Sequence, residues 1–329
     1  MRYSVAALML LGLLWACAPR VRAPGPATGR PQLTETAFIT ADGTALPLHA
    51  WRPAGRPRAV ILALHGFNDY GHFFDDPGDF LSLRGIVSYA YDQRGFGGAP
   101  NLGTWAGVAA YARDAVQAVH AVKQRHPDLP LYLHGSSMGG AVAILAASGT
   151  SGASVDGVIL AAPAVWGRTT MPWYQRLALW IGAHVAPWMT LTGRGLGIVP
   201  SDNYEMLVSL GQDPLIIKET RIGTIYGLVN LMDAALAAAP ELKTPTLILY
   251  GQKDEVVPKM PTRRMLEALP ANRHRIALYE GGFHMLLRDL QAATVWKDMA
   301  AWIFNSNLPL PSKADRSSLK KLGITEVRH

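Results

Sequence analysis

Six apolar runs, each six or seven residues long, constrain this chain more than anything else in it: AVILALH (59–65), GIVSYAY (85–91), LPLYLH (129–134), GVILAA (157–162), PTLILY (245–250) and RIALYE (275–280). A strand with one wet face alternates apolar and polar residues, whereas these runs are continuous. They therefore read as strands covered on both faces. Helical patterns separate several of them, at 105–125, 139–148, 261–269 and 292–304. Strand and helix in alternation predict an α/β architecture with a mostly parallel sheet flanked by helices. Ahead of the first run, TETAFIT and TALPLHAW flank Asp42-Gly43, a pair suited to a tight antiparallel hairpin. With 49% hydrophobic and 17% charged residues among 329, there is apolar material for one large core.

The stretch Leu133 to Ala141, LHGSSMGGA, sits where the third run ends and an alanine-rich helical segment begins. Glycine is so common here (32 residues) that a G-x-S-x-G string carries little weight alone. Its position carries more, because a serine at a sharp strand-to-helix turn is strained and lifts its hydroxyl above the sheet. Neighbours two positions away on each side must then be small, as Gly135 and Gly139 are. A serine hydroxyl needs a base to become a nucleophile. Asp254 follows the strand PTLILY, and His284 follows RIALYE, so Ser137, Asp254 and His284 each stand just past a strand. Glu255 is an alternative acid. His65 precedes the nucleophile, His134 lies within its strand and His274 precedes a strand, which suits structural roles. An oxyanion needs backbone donors, and the N–H groups of Phe67, after His65-Gly66, and of Met138, at the helix start, are placed to supply them.

The segments HGFNDYG, YDQRGFGG, HGSSMGGAVAI, LILYGQKDEVVP and YEGGFHMLL resemble the monoacylglycerol lipase and lysophospholipase branch of the α/β-hydrolases, which includes serine aminopeptidase-like members. The resemblance runs from about Thr34 to Phe304. It implies the α/β-hydrolase fold, with Ser137 as nucleophile, His284 as base, Asp254 as its orienting acid, and Phe67 and Met138 as oxyanion donors. It also implies an ester hydrolase without a cofactor, acting on monoacylglycerol, lysophospholipid or a similar single-chain ester. Aminopeptidase or acyltransferase activity on the same triad, and a non-catalytic binding lipoprotein, are the alternatives. Two departures bear on substrate. Ser136 stands where many relatives have histidine, and Asn68-Asp69-Tyr70 replaces a commoner Gly-Glu-His type.

The resemblance divides the chain into a core (33–163 and 241–304) and a helical cap inserted between two core strands (164–240). In the cap, Trp173, Leu177, Trp180, Ile181, His184 and Trp188 recur at helical spacing. Such a face either packs on the core or, as an acyl channel or membrane-facing lid, makes Trp173, Trp180 and Trp188 substrate-binding residues. ETRIGTIYGLVNLMDAA (219–235) reads as a second amphipathic helix closing the cap. An amine-holding acid there would be Asp202 or Glu205.

At the N-terminus, MRYSVAALMLLGLLWA (1–16) has a signal-peptide pattern, and Leu14-Trp15-Ala16-Cys17 resembles a bacterial lipobox. Residues 1–17 are thus expected to be a signal whose Cys17 becomes lipidated, placing the protein on the membrane of a bacterial envelope, on the periplasmic side. An ordinary cleaved signal, with a secreted or periplasmic product, or an uncleaved anchor are the alternatives. Residues 18–32, rich in Pro, Gly and Arg, read as a flexible tether, and 305–329 as a loosely packed polar tail. The net charge of +7 comes without a basic block, so nucleic acid is not an expected partner. No metal motif or phosphate-binding fingerprint is complete, RGFGG (94–98) and GRGLG (193–197) being better read as turns. The sequence leaves the oligomeric state open.

Overall fold

The computed structural model describes residues 19, 21–149 and 152–316. Cys17, the apolar run before it and the last part of the tail lie outside the described residues. The chain begins with short strands β1 (Gln32–Leu33) and β2 (Ala37–Ile39), then β3 (Ala45–Trp51), β4 (Ala59–Leu64), helix α1 (Asp75–Ser82) and β5 (Ile86–Tyr91). Next come α2 (Val108–Arg125), β6 (Leu131–Ser136), α3 (Met138–Ala147) and β7 (Gly157–Ala161). An excursion carries α4 (Trp173–Val185), β8 (Thr190–Leu191), α5 (Tyr204–Gln212), β9 (Thr220–Arg221) and α6 (Ile222–Ala238). The core resumes with β10 (Thr246–Gly251), α7 (Lys259–Ala268), β11 (His274–Tyr279) and α8 (Ala292–Phe304).

Nine strands form one sheet in the order β1-β2-β3-β5-β4-β6-β7-β10-β11. The pairings from β1 to β5 are antiparallel and the rest parallel, the mostly parallel sheet that the alternation of runs predicts. Every residue of β4, β5, β7 and β10 is buried, and β4 shows why its run had to be continuous. Val60, Leu62 and Leu64 point to the face covered by α2, α3 and α6, while Ala59, Ile61 and Ala63 point to the face covered by α1 and α8. The parallel ladder brings the carboxyl ends of β4, β6, β7, β10 and β11 to one edge, where open α/β sheets hold their ligands.

Both expected loose segments are packed. The tether expected over 18–32 lies along the domain from residue 21. Arg22 N–H donates to Trp105 O (2.8 Å), Gly25 N–H to the Asp42 carboxylate (3.1 Å), and Thr28 N–H to Ala41 O (2.7 Å). Lack of periodicity rules out a regular helix, but an extended Pro-rich strip can still use spare acceptors on a hairpin loop. That loop has three residues, closed by Thr40 N–H to Thr44 O, with only Gly43 in the left-handed region (φ 80°). The tail is anchored as far as 316: Leu310 and Ala314 are buried beside α8, and buried Asp298 accepts from the Tyr279 hydroxyl (2.8 Å) and Ser312 N–H (3.0 Å). Two apolar residues and one buried carboxylate suffice, too little to show as a pattern.

Candidate active site

Ser137 is the single residue between β6 and α3, and it turns the chain with φ 51° and ψ −115°, outside the regions favoured by residues with a side chain. Packing holds it there. A Cβ at Gly135 would stand 2.2 Å from Gly139 O, and one at Gly139 2.1 Å from Leu64 O. Gly140 is a third tight position, not singled out from sequence, where a Cβ would come within 2.8 Å of Pro163. The Ser137 N–H donates to Ala161 O and its carbonyl accepts from Ala164 N–H, both at 2.9 Å, which ties the turn to the end of β7.

His284 Nε2 stands 3.0 Å from Ser137 Oγ, and its Nδ1 2.9 Å from Asp254 Oδ2. A carboxylate can only accept, so the proton belongs on Nδ1 and Nε2 is left with a lone pair toward the serine. Asp254 Oδ1 accepts from the N–H groups of Val256 (2.8 Å) and Val257 (2.9 Å), which fixes the carboxylate. Its side chain is wholly buried and that of His284 nearly so. Glu255 points elsewhere: its carboxylate accepts from Val199 N–H in the cap (3.0 Å). The geometry thus brings Asp254, rather than Glu255, to the ring.

The other histidines sit apart from the serine. His65 is fully buried, donates from Nδ1 to Gly66 O (2.7 Å) and accepts at Nε2 from Gln93 N–H (2.9 Å). Burial pushes its pKa down, keeping the neutral form that this pairing requires. His134 lies buried against Phe73 and Phe74. His274 opens β11 beside Pro270 O.

The loop that His65 braces passes directly over the serine, since a Cβ at Gly66 would be 3.4 Å from Ser137 Cβ. Phe67 N–H has no backbone acceptor among the described residues. Met138 opens α3, so its N–H is among those a helix leaves unpaired. Both donors therefore remain available beside Ser137 Oγ. The departing triplet Asn68-Asp69-Tyr70 ties this loop to its surroundings. Asn68 donates to Thr220 Oγ1 and Tyr70 to Asp213, each at 2.6 Å, while Asp69 pairs with Arg288 at 3.1 Å.

A cavity of roughly 570 Å³ rises from Ser137 and His284 between core and cap. Trp166, Met171, Ile198, Ile225, Leu228 and Met232 make its wall apolar, and the Asp69–Arg288 pair is its charged part. Trp173, Trp180 and Trp188, expected to bind substrate, do not line it: they stand on the outside of the cap, 72%, 52% and 63% exposed. Nor does their face pack on the core. The side of α4 turned inward carries Leu179, Gly182 against Ile222 and buried Ala183, and on the aromatic side only His184 meets another helix, edge-on to Tyr226 of α6, while it stacks with Trp180. Much of the wall comes instead from α6, the helix expected to close the cap, which packs on α3 as well. Ile225, Leu228 and Met232, at helical spacing, were the signal that could have identified it. Ile222–Glu241 is also long and apolar enough to cross a membrane by composition, but its contacts with α3 and α4 make it a helix of the domain. Asp202 and Glu205 do not line the cavity either.

Residues 55–291 match the family Hydrolase_4, described as "Serine aminopeptidase, S33". Among curated relatives, the chain is 28% identical to a monoglyceride lipase of Rattus norvegicus over 272 residues, covering 81% of this chain and 89% of that protein. It is 23% identical to a monoacylglycerol lipase of Mycolicibacterium smegmatis over 273 residues, covering 82% and 96%. Among solved structures, a soluble variant of monoglyceride lipase from Saccharomyces cerevisiae with a substrate analog superposes with a TM-score of 0.68 at 23% identity, covering 85% of this chain and 97% of that one. The monoacylglycerol lipase of Paleococcus ferrophilus gives 0.64 at 21% identity, covering 78% and 98%. These structural likenesses establish a shared fold.

Proposed function

The chain belongs to the serine aminopeptidase S33 family and is a lipase/esterase-type α/β-hydrolase, and on that premise we propose that it cleaves single-chain fatty acyl esters, monoacylglycerol or lysophospholipid, through an acyl-enzyme on Ser137. The observation that carries this reading is the line Ser137–His284–Asp254 at the foot of an apolar cavity. Ser137 Oγ attacks the ester carbonyl as His284 Nε2 takes its proton. The N–H groups of Phe67 and Met138 hold the oxyanion, and Asp254 stabilises the imidazolium. His284 then gives its proton to the leaving alcohol. In the second half, a water gives a proton to His284 and attacks the acyl carbonyl, and His284 returns that proton to Ser137 Oγ as the fatty acid leaves.

The apolar wall supports an acyl chain as the part that is bound, at about 0.8 kcal/mol per buried methylene. Aminopeptidase activity has less support, because the one acidic side chain in the lining besides the triad's neighbourhood, Asp69, is already paired with Arg288. The test is acyl-length profiling with p-nitrophenyl esters beside an aminoacyl-nitroanilide panel. The expected result is a kcat/KM that rises at least about tenfold from two to eight carbons, with monoacylglycerol cleaved faster than triacylglycerol. A steep preference for acetyl esters or aminoacyl amides overturns the lipid reading. Cys17 lipidation is part of the same proposal: Cys17→Ser should move the protein out of the membrane fraction of a bacterial host or leave it unprocessed. Equal membrane partition of both forms excludes the lipid anchor.

A further inference from the structure

The oxyanion donor Phe67 sits in a tight turn. Gly66 O accepts from Asp69 N–H (3.3 Å), which makes Phe67 and Asn68 the two central residues, and of these only Asn68 stands in the left-handed region, at φ 64°. That is the pattern of a type II turn, whose second central position favours glycine and, after it, asparagine. Glycine would take this backbone freely but offers no side chain to a partner. Asparagine takes it with some strain, which persists only where the surroundings over-determine the residue.

Those surroundings belong to the cap. The stretch between α5 and β9 meets the turn at three points: Ile217 N–H donates to Asn68 O (3.1 Å), the Asn68 amide to Thr220 Oγ1 (2.6 Å), and the Tyr70 hydroxyl to Asp213 Oδ2 (2.6 Å). Two of these ties are fixed at the cap end as well. Asp213 Oδ1 accepts from Leu215 N–H (2.8 Å), and Thr220 is buried in β9. On the core side, His65 Nδ1 holds Gly66 O, the first residue of the turn, at 2.7 Å. The Phe67 N–H therefore lies between an anchor supplied by the core and three supplied by the cap. None of Asn68, Tyr70, Asp213, Ile217 and Thr220 lines the Ser137 cavity, so they reach a bound ester only through the turn.

We propose that the cap stretch 213–220 sets the place of the Phe67 N–H, with Asn68, Tyr70, Asp213 and Thr220 as positioning residues, so that this part of the cap governs the rate of acyl transfer rather than the choice of ester. The inference rests on the reading of Ser137 as the acylated nucleophile. Under it the cap has two parts. Leu196, Ile198 and the α6 face shape the cavity, whereas 213–220 works as a piece of the catalytic floor. The oxyanion of a two-carbon ester needs its donor as much as that of an eight-carbon one, and a donor moved out of line is lost to both. Cutting the ties should thus slow every acyl length alike.

The experiment compares the full chain with the double variant Tyr70→Phe, Thr220→Val, which keeps the shape of both side chains and removes both hydroxyls. On acetate and octanoate p-nitrophenyl esters, kcat and the single-turnover acylation rate should each fall at least about tenfold, by the same factor for both esters, with KM within about threefold. A trifluoromethyl ketone reads the oxyanion site without turnover: its carbonyl carbon bonds to Ser137 Oγ, the serine proton passes to His284, and the carbonyl oxygen becomes the oxyanion. Its inhibition should weaken at least about tenfold in the variant. The double variant Tyr70→Phe, Thr220→Ser, which returns one hydroxyl, should recover at least about threefold of the rate. An unchanged kcat overturns the proposal, as does a loss confined to KM or one that grows with acyl length, since either assigns the stretch to the cavity. A loss that the returned hydroxyl leaves unrecovered overturns it too. If the double variant does not fold, Asn68→Gly decides, because it keeps the left-handed backbone and removes only the side-chain tie: kcat should fall at least about threefold, and an equal kcat overturns the proposal. Wild type separates the two claims. No turnover or labelling in wild type overturns the acyl-enzyme reading and this inference with it, whereas equal turnover in wild type and variant overturns this inference alone.

Discussion

Two helices rich in apolar residues, α3 and α4, meet opposite fates. α3 buries nine of its ten residues, whereas α4 buries only Ala183 of its thirteen. The difference lies in side-chain size and in neighbours. α3 is built of Gly, Ala and short aliphatics, so β6, β7, α2 and α6 approach it closely, and the approach is what holds Ser137 in its strained turn. α4 carries Trp, Tyr and Leu and packs mainly on α6, through Gly182, Ala183 and His184. A catalytic floor has to be rigid, because a nucleophile misplaced by about 1 Å loses orders of magnitude in rate. A cover over an apolar cavity has to admit substrate, and it leaves its large side chains outside.

The largest expected effects fall on the floor. His284→Ala should lower ester kcat by about 10⁶-fold and Asp254→Asn by about 10⁴-fold, since the acid acts through the base. Steady-state and single-turnover rates on a soluble ester measure both, and a loss of less than tenfold for either would remove that residue from the triad. A glycine pair then compares the regions directly. Gly139→Ala puts a methyl 2.1 Å from Leu64 O, a backbone atom that cannot give way, and should cost about 3 kcal/mol or more in denaturant unfolding. Gly182→Ala in α4 meets only the Ile222 side chain, Cγ2 at 3.2 Å and Cδ1 at 3.5 Å, so the gain in helix propensity, up to about 1 kcal/mol, should leave it neutral or stabilised. Equal costs would erase the distinction between floor and cover.

The smallest effect tests how dry the floor is. Burial pushes the pKa of His134 down to about 3. Its unfolded value is near 6.5, so as pH falls through 6.5 the unfolded chain takes up a proton that the folded one refuses. Stability is full above that pH and declines below it, until the folded pKa is reached. His134→Phe, which can keep the stacking on Phe73, should remove this share, about 1.4 kcal/mol at pH 5.5. Because buried His65 shifts in the same direction, the comparison is between wild type and variant at each pH. An unchanged acid slope in the variant would mean that water reaches β6.

Legibility followed the same division. The strands were readable because burial on both faces leaves unbroken apolar runs, and Ser137, Asp254 and His284 were readable because each follows such a run. Helix α2 starts at Val108 rather than at Trp105: Gly107 before it stands at φ 99°, outside helical backbone, and the Trp105 carbonyl accepts from Arg22. In the cap, periodicity showed that α4 has an aromatic face but could not show that its tryptophans stand exposed. Single contacts left no pattern at all: Leu310 in the tail, Arg22 on Trp105, and Tyr70 and Asn68 reaching Asp213 and Thr220 are each one residue meeting one partner.

The central claim is that Ser137, held in its turn and facing His284, is the nucleophile. Labelling of the full chain with a fluorophosphonate, followed by mass mapping of the modified peptide, tests it most directly. The account predicts one label per chain on Ser137, complete loss of labelling in Ser137→Ala, and an unfolding midpoint for that variant at or above the wild type, because alanine removes no packing contact from the turn. Labelling that persists in Ser137→Ala, or that maps to another serine in the wild type, would contradict it.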